Sequence, residues 1–123
     1  MIKSYRDLEV YKRSYKLALE MHKITQEFPR HEMYELGSQL RRAAISIPLN
    51  IAEGYGRKAY SKSFAAFLLN ALGSCNEMEV LLEMIKDLEY LAEEKYEKYK
   101  EEYDHLGRQL NKLIQSNEKK SNI

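Results

Sequence analysis

The sequence predicts an all-α fold, an antiparallel up-down-up-down four-helix bundle. Four segments carry apolar residues at spacings of three and four, the repeat of an amphipathic helix, and no segment alternates like a strand. The connections are short, so helices adjacent in sequence run antiparallel. A chain of 123 residues can bury a core without disulfides or metal. We predict one domain over residues 1–116 and a polar tail over residues 117–123.

The first helix is predicted to run from Tyr5 to Phe28. Ser4 stands directly before it and Asp7 lies three residues after Ser4, which is the spacing of a capping box. Pro29 follows the helix, and the residue before a proline disfavours helical backbone. The signals at both ends therefore define one long first helix.

The second helix is predicted to start near Glu32 and to close at Gly54, and it is apolar almost all the way round. Pro48 inside it removes a backbone donor, which predicts a kink. One small bundle cannot cover every side of such a helix, so part of its surface is predicted to meet another subunit. The predicted oligomer interface lies away from the face of Leu40, Ile47 and Ile51 and consists of Ile45, Leu49 and Ala52.

The third and fourth helices are predicted from Ser61 to Leu91 and from Glu93 to Ser116. Gly73 interrupts the third helix. Because a mid-helix glycine costs about 1 kcal/mol relative to alanine, we predict that Gly73 permits the close approach of a neighbouring helix. The fourth helix carries a bundle seam whose spacings alternate between three and four. The seam residues are Tyr96, Tyr99, Tyr103, Leu106, Leu110 and Leu113.

A narrow polar stripe runs along the otherwise apolar surface of the second helix. Its members follow one another at spacings of three and four, so each can contact the next. If the stripe is buried, each unsatisfied group would cost about 1–3 kcal/mol. We predict a buried polar network that fixes helix register or subunit geometry, with a lined channel or binding groove as the alternative. The stripe consists of Gln39, Arg42, Ser46, Asn50 and Glu53.

The net charge of +1 conceals an asymmetry along the chain. Residues 36–76 carry five cations against one carboxylate, whereas residues 77–104 carry eleven carboxylates against four lysines. One end or face is therefore predicted to be basic and suited to an anionic partner. The candidate nucleic-acid contacts are Arg41, Arg57, Lys58 and Lys62, of which Arg41 stands more than three helical turns away from the others.

No catalytic or metal-binding constellation is apparent in the sequence. Glu102 and His105 form one Glu-x-x-His pair, but a di-metal bundle requires two such pairs. The single cysteine, Cys75, lies in an apolar helical pattern, which indicates a small buried hydrophobe. We predict no metal, no cofactor and no enzymatic activity. The N-terminal segment has no uninterrupted apolar run, so we predict no membrane association and a cytoplasmic location.

Two runs carry a family resemblance: QLRRAAISIPLNIAEGYGRK at residues 39–58 and FLLNALGSCNEMEVLL at residues 67–82. They resemble the bacterial four-helix bundle family encoded by intervening sequences in 23S ribosomal RNA genes. That family is similar to the accessory variability proteins of diversity-generating retroelements, which are basic pentameric barrels associated with nucleic acid and a reverse transcriptase. At residues 71–74 this chain has Ala-Leu-Gly-Ser where members often have Ala-Arg-Gly-Ser. The resemblance implies an all-helical protomer in a homopentameric ring and no settled biochemical activity.

The predicted function is a non-enzymatic homo-oligomer that binds RNA or DNA through the basic loop after the second helix. The alternative is a protein-interaction scaffold whose basic end binds an acidic protein partner, with no role for nucleic acid. Salt-sensitive binding to nucleic acid distinguishes the two, because phosphate contacts release counterions.

Overall fold

Helices make up the regular structure of this chain. The computed structural model describes residues 1–121, and no strand occurs within that range. A 3-10 turn at Tyr5–Asp7 comes before the first α-helix. One short helix occupies a single turn and the four long helices form the bundle, which confirms the predicted fold class. In chain order the helices are α1 (Glu9–Thr25), α2 (Arg30–Met33), α3 (Leu36–Tyr55), α4 (Ser61–Asp87) and α5 (Glu93–Ser121).

The core lies between the inward faces of the four long helices. α1 packs along α3, α3 along α4 and α4 along α5, whereas α1 and α5 approach each other at few positions. The predicted tyrosines of the α5 seam are buried, and the seam ends with Ile114 buried in place of Leu113. The largest completely buried side chains are Leu17, Met21, Leu40, Ile47, Ile51, Leu68, Met78, Leu82, Ile85, Tyr103, Leu106 and Leu110.

The first helix begins later than predicted. Ser4 and Asp7 do form a capping box: Ser4 Oγ accepts from the Arg6 N–H at 3.2 Å, and Asp7 Oδ2 accepts from the Ser4 N–H at 3.1 Å. The box closes only the 3-10 turn, because Leu8 has an extended backbone with φ −71° and ψ 131°. The Leu8 side chain packs against the core. α1 therefore starts at Glu9.

The predicted second helix is split into two. α1 already ends at Thr25, and Pro29 leads into the single turn of α2. Glu35, with φ −100° and ψ −91°, breaks the helical path, so α3 begins at Leu36, whose side chain is buried. Pro48 lies inside α3. The kink at this proline stays a prediction.

α4 ends at Asp87, before the predicted end at Leu91. Glu89 adopts the left-handed backbone, with φ 65°, and the Tyr90 N–H donates to Ile85 O at 2.8 Å. This pattern is that of a Schellman motif, which usually places glycine at the left-handed position. Glutamate occupies this position here, so no glycine marks the helix end in the sequence.

Replacing Glu89 by glycine is expected to stabilise the protein by about 1 kcal/mol, because the left-handed conformation is costly for a residue with a Cβ. The measurement is urea unfolding followed by circular dichroism. Glu89→Ala is the control, since alanine keeps the Cβ and gains nothing from the left-handed backbone. Equal stabilities of the glycine and alanine variants would contradict the expectation.

α5 continues through residues predicted to form a tail. The helix extends to Ser121, beyond the predicted end at residue 116. Asn117 is buried, and its Nδ2 donates to Ser61 O at 2.9 Å. This hydrogen bond joins the end of α5 to the start of α4, and the fourth helix is longer than predicted. The domain boundary at residue 116 stays a prediction. Residues 122–123 of the predicted tail lie outside the described residues.

Gly54 lies where α3 and α4 cross closely. A Cβ at this position would be 2.8 Å from Phe67 Cβ and 3.2 Å from Phe64 Cδ1. Gly73, for which the sequence predicted a close helix approach, is different: nothing lies within 4 Å of the Cβ position there. Within one chain that prediction is wrong, because Gly73 is on the outer side of α4 and is exposed to solvent.

Candidate nucleic-acid interface

The antiparallel topology brings basic side chains from separate segments to one end of the bundle. This end contains the 3-10 turn, which packs on α3, the α3–α4 loop and the last turns of α5, which the Asn117–Ser61 hydrogen bond holds in place. Three carboxylates, those of Asp7, Glu53 and Glu118, belong to the same segments. We call seven cations in or next to these segments, all within residues 1–119, the basic end: Lys3, Arg6, Arg57, Lys58, Lys62, Lys112 and Lys119.

Aromatic rings position the two cations of the α3–α4 loop. The guanidinium carbon of Arg57 lies 5.3 Å from the centre of the Phe67 ring. Lys58 Nζ donates to Tyr55 Oη at 2.8 Å and lies 4.1 Å from the centre of that ring. In residues 1–119, no ion pair to a carboxylate engages either cation. Because a ring attracts a cation without neutralising it, both charges can act on a phosphate.

Arg41 does not join the other predicted contacts. It lies toward the opposite end of α3, and its guanidinium is half-buried. Nη1 donates to Thr25 Oγ1 at 2.7 Å, and Nη2 donates to Met33 O at 3.2 Å. Arg41 thus links α3 to the end of α1 and to α2. Since two of its five donors bond inside the protein, we assign it a structural role.

The opposite end of the α4–α5 pair is acidic. Residues 77–102 carry ten carboxylates against four lysines, and they form the upper part of α4, its connection and the first turns of α5. Opposite charges at the two ends give the protomer a charge dipole along the bundle. Such a dipole directs an anionic partner toward the basic end.

Glu79 on α4 and Asp104 on α5 form a carboxyl pair. Burial, and then hydrogen bonding and charge repulsion from Asp104, raise the pKa of Glu79 to about 7, from an ordinary value of 4.5. The nearby Lys100 acts in the opposite direction. The Glu79 carboxyl is therefore largely protonated in mildly acidic solution.

The raised pKa of Glu79 makes stability pH-dependent. The folded state holds the proton more tightly than the unfolded state, so stability is greatest below pH 4.5 for this group and is lost as the pH rises through about 7. Glu79→Gln is expected to remove this contribution and to raise the melting temperature relative to wild type at pH 8. The measurement is the difference between the two melting curves from pH 5 to pH 8. A constant difference across this range would contradict the assignment.

The polar stripe of α3 is only partly buried. Ser46 Oγ lies 2.7 Å from Ser74 Oγ on α4, and Asn50 Nδ2 donates to Ser46 O at 2.8 Å and to Ser46 Oγ at 3.1 Å. The other three members, Gln39, Arg42 and Glu53, are exposed in the single chain. Within one chain the hydrogen bonds join Asn50 to Ser46 and Ser46 to Ser74, and the side of α3 bearing Gln39, Arg42 and Glu53 is open. The network of five stays a prediction.

The predicted interface residues of α3 lie on an apolar groove between α1 and α3. Leu49 is 59% exposed and Ile45 is 42% exposed, while Ala52 is half-buried. The groove has a volume of about 270 Å³. The protomer therefore leaves these side chains uncovered. Their role in assembly stays a prediction.

Glu102 of the Glu-x-x-His pair and the single cysteine, Cys75, both have structural roles. Arg13 Nη1 donates to Glu102 Oε2 at 3.2 Å, and within residues 1–119 no three potential metal ligands cluster. Cys75 is buried, and burial and then the charge of Glu79 raise the pKa of its thiol to about 12. A thiol with so high a pKa is a poor nucleophile.

No helix in the described part of the chain is both long and apolar enough to span a bilayer.

Sequence reasoning missed the basic residues outside the α3–α4 loop. Lys112 and Lys119 belong to α5, and Lys119 was assigned to the tail. Lys3 precedes the Ser4–Asp7 capping box and Arg6 lies inside it, and in the sequence this box indicates only a helix start. The available signal was the topology: in an up-down-up-down bundle, the chain start, the second connection and the last helix end all meet at one end.

The fold and the site define a small helical bundle with one basic end. The family model for the 23S rRNA-intervening sequence protein matches residues 6–112, and this chain belongs to that family. A crystal structure at 1.70 Å, of a protein with unknown function from the S23 ribosomal protein family of Bacteroides thetaiotaomicron VPI-5482, has a similar fold. Its TM-score is 0.78 at 24% sequence identity, over 86% of this chain and 95% of that chain. No curated protein matches.

Proposed function

We propose that this protein is a non-enzymatic, cytoplasmic homo-oligomer that binds RNA or DNA through its basic end. The observation that carries the proposal is the α3–α4 loop, where aromatic rings rather than carboxylates position Arg57 and Lys58. Lys62 in the first turn of α4 and Lys112 and Lys119 of α5 belong to the same end. Arg41, whose donors bond within the protein, is not part of it.

The expected chemistry of binding is contact with phosphates. Lysine and arginine release condensed counterions when they neutralise phosphates, and this term does not depend on base sequence. The cations of the basic end come from a turn, a loop and helix ends. They do not form a recognition helix of the kind that enters the major groove of DNA. We therefore expect binding that tolerates changes of sequence.

Assembly would multiply these contacts. A ring places several copies of the basic end on one particle, and the family resemblance implies five. Tethered weak sites bind a polyanion far more tightly than one site does, because the second and later contacts are intramolecular. We thus expect nucleic-acid affinity to depend on the oligomer.

Charge reversal at the loop tests the proposal. The double variant Arg57→Glu/Lys58→Glu is expected to weaken binding of a 30-nucleotide RNA and of a DNA duplex by roughly tenfold or more at low salt. The control variant Arg30→Glu/Lys95→Glu makes the same change in net charge at exposed positions away from the basic end. Fluorescence anisotropy gives both dissociation constants.

The outcomes separate the candidate functions. Loss of binding in the loop variant but not in the control supports the proposal. Equal loss in both variants would mean that net charge alone governs binding. If wild-type protein binds neither RNA nor DNA at low ionic strength, the proposal fails and the scaffold for an acidic protein partner replaces it.

A further inference from the structure

The protomer carries two separate apolar surfaces that nothing in the single chain covers. The first is the groove between α1 and α3, here called the α1–α3 groove, whose exposed walls are Tyr15, Leu19, Ile45 and Leu49. Each of these side chains is between 42% and 59% exposed. Isolated apolar side chains on a surface are ordinary, but a contiguous patch marks an interaction site.

The second surface runs along the outer side of α4, opposite the core. On this outer side, large apolar residues recur at helical spacing among polar residues, which include Asn76 and Asp87. Val80 is 61% exposed, and the other large members are about half exposed. Gly73 belongs to the same row and has open space around its Cβ position, so a partner helix can approach the α4 backbone there. We call this row the α4 stripe: Leu69, Gly73, Val80, Met84 and Leu88.

Charges beside the two surfaces are opposite in sign. Helical periodicity places Lys16 and Lys23 on α1 along the edge next to Leu19. The same reasoning places Glu77 and Glu83 on the two sides of Val80. Complementary charges favour contact between the α1–α3 groove of one copy and the α4 stripe of another. Like charges disfavour contact between two grooves or between two stripes.

The amount of exposed surface agrees with an incomplete protomer. The chain has an accessible surface of 7872 Å², whereas a monomer of 14.5 kDa is expected to expose about 6,900 Å². The excess is of the same order as the roughly 800 Å² that each partner buries in a standard interface.

We propose that the α4 stripe of one copy of this chain docks into the α1–α3 groove of the next copy. This inference rests on the oligomer of the proposed function and adds which surfaces join. Because the two surfaces differ, the contact is heterologous, and each copy offers a free groove and a free stripe to further copies. Such an interface produces a closed ring when the rotation between neighbours closes, and not an isologous dimer.

Mixing two half-defective variants tests this pairing. Leu49→Glu places a charge in the groove and leaves the stripe intact, whereas Val80→Glu does the reverse. Both positions are exposed, so both variants are expected to fold, which circular dichroism checks. Ile45→Glu and Met84→Glu repeat the test at second positions, should either first variant not fold.

Light scattering of the eluted peaks gives the masses. Wild type is expected to be several times 14.5 kDa and each variant alone to be a monomer. The equimolar mixture is expected to form a dimer of twice 14.5 kDa and to grow no further, because only one intact groove and one intact stripe meet. A mixture that stays monomeric, or either variant alone forming the wild-type oligomer, overturns the pairing. Wild type as a monomer overturns both the pairing and the oligomer itself.

Discussion

Gly54→Ala is expected to lower the free energy of unfolding by about 1–2 kcal/mol. The added Cβ would lie 2.8 Å from Phe67 Cβ, a separation that requires the backbones of α3 and α4 to move apart. It would also press on the buried Phe64 ring at 3.2 Å. Overpacking of this kind costs about 1–3 kcal/mol, whereas the higher helix propensity of alanine returns about 1 kcal/mol at most.

Gly107 in α5 provides the matched control. Its nearest contacts for an added Cβ are Cys75 Sγ at 3.7 Å and Leu72 Cδ1 at 3.8 Å, which are ordinary van der Waals distances. Gly107→Ala is therefore expected to stabilise the protein by up to about 1 kcal/mol. Urea unfolding of the two variants beside wild type gives the comparison. If both substitutions changed the free energy of unfolding in the same direction, the result would contradict the packing described at the α3–α4 crossing.

The long helices and most of the core residues could be predicted from the sequence. Period and spacing place four long helices, and the tyrosine seam of α5 is buried as predicted. The ends of the helices were harder to predict from the sequence, because tertiary contacts determine them. Asn117 extends α5 by bonding to Ser61, a residue 56 positions earlier in the chain. Leu8 interrupts the first helix with an extended backbone, and its side chain packs on the core.

The candidate site could be predicted only in part. Arg57 and Lys58 were identifiable because they follow a helix end in a basic stretch. The structural role of Arg41 depends on Thr25 and Met33, which lie in other helices. Helical periodicity places Glu53 on the polar stripe, but burial depends on where the neighbouring helices lie, and that side of α3 is open in the single chain.

The largest expected effect is that of salt on nucleic-acid affinity. If an oligomer neutralises 6–10 phosphates, affinity is expected to fall by about 10³–10⁵ between 50 and 200 mM salt. Each basic end contributes seven cations, so a few protomers suffice for that number of contacts. The scaffold alternative gives no such dependence for RNA or DNA, since no phosphate is then bound.

The slope of log affinity against log salt concentration tests the basic end most directly. For duplex DNA the wild-type slope is expected to be about −0.9 per phosphate neutralised, summing to −5 or steeper for the oligomer. Arg57→Glu/Lys58→Glu is expected to make the slope much shallower, with ring size and helicity unchanged. A wild-type slope near zero, or identical slopes for wild type and the loop variant, would contradict the assignment of nucleic-acid binding to this end of the bundle.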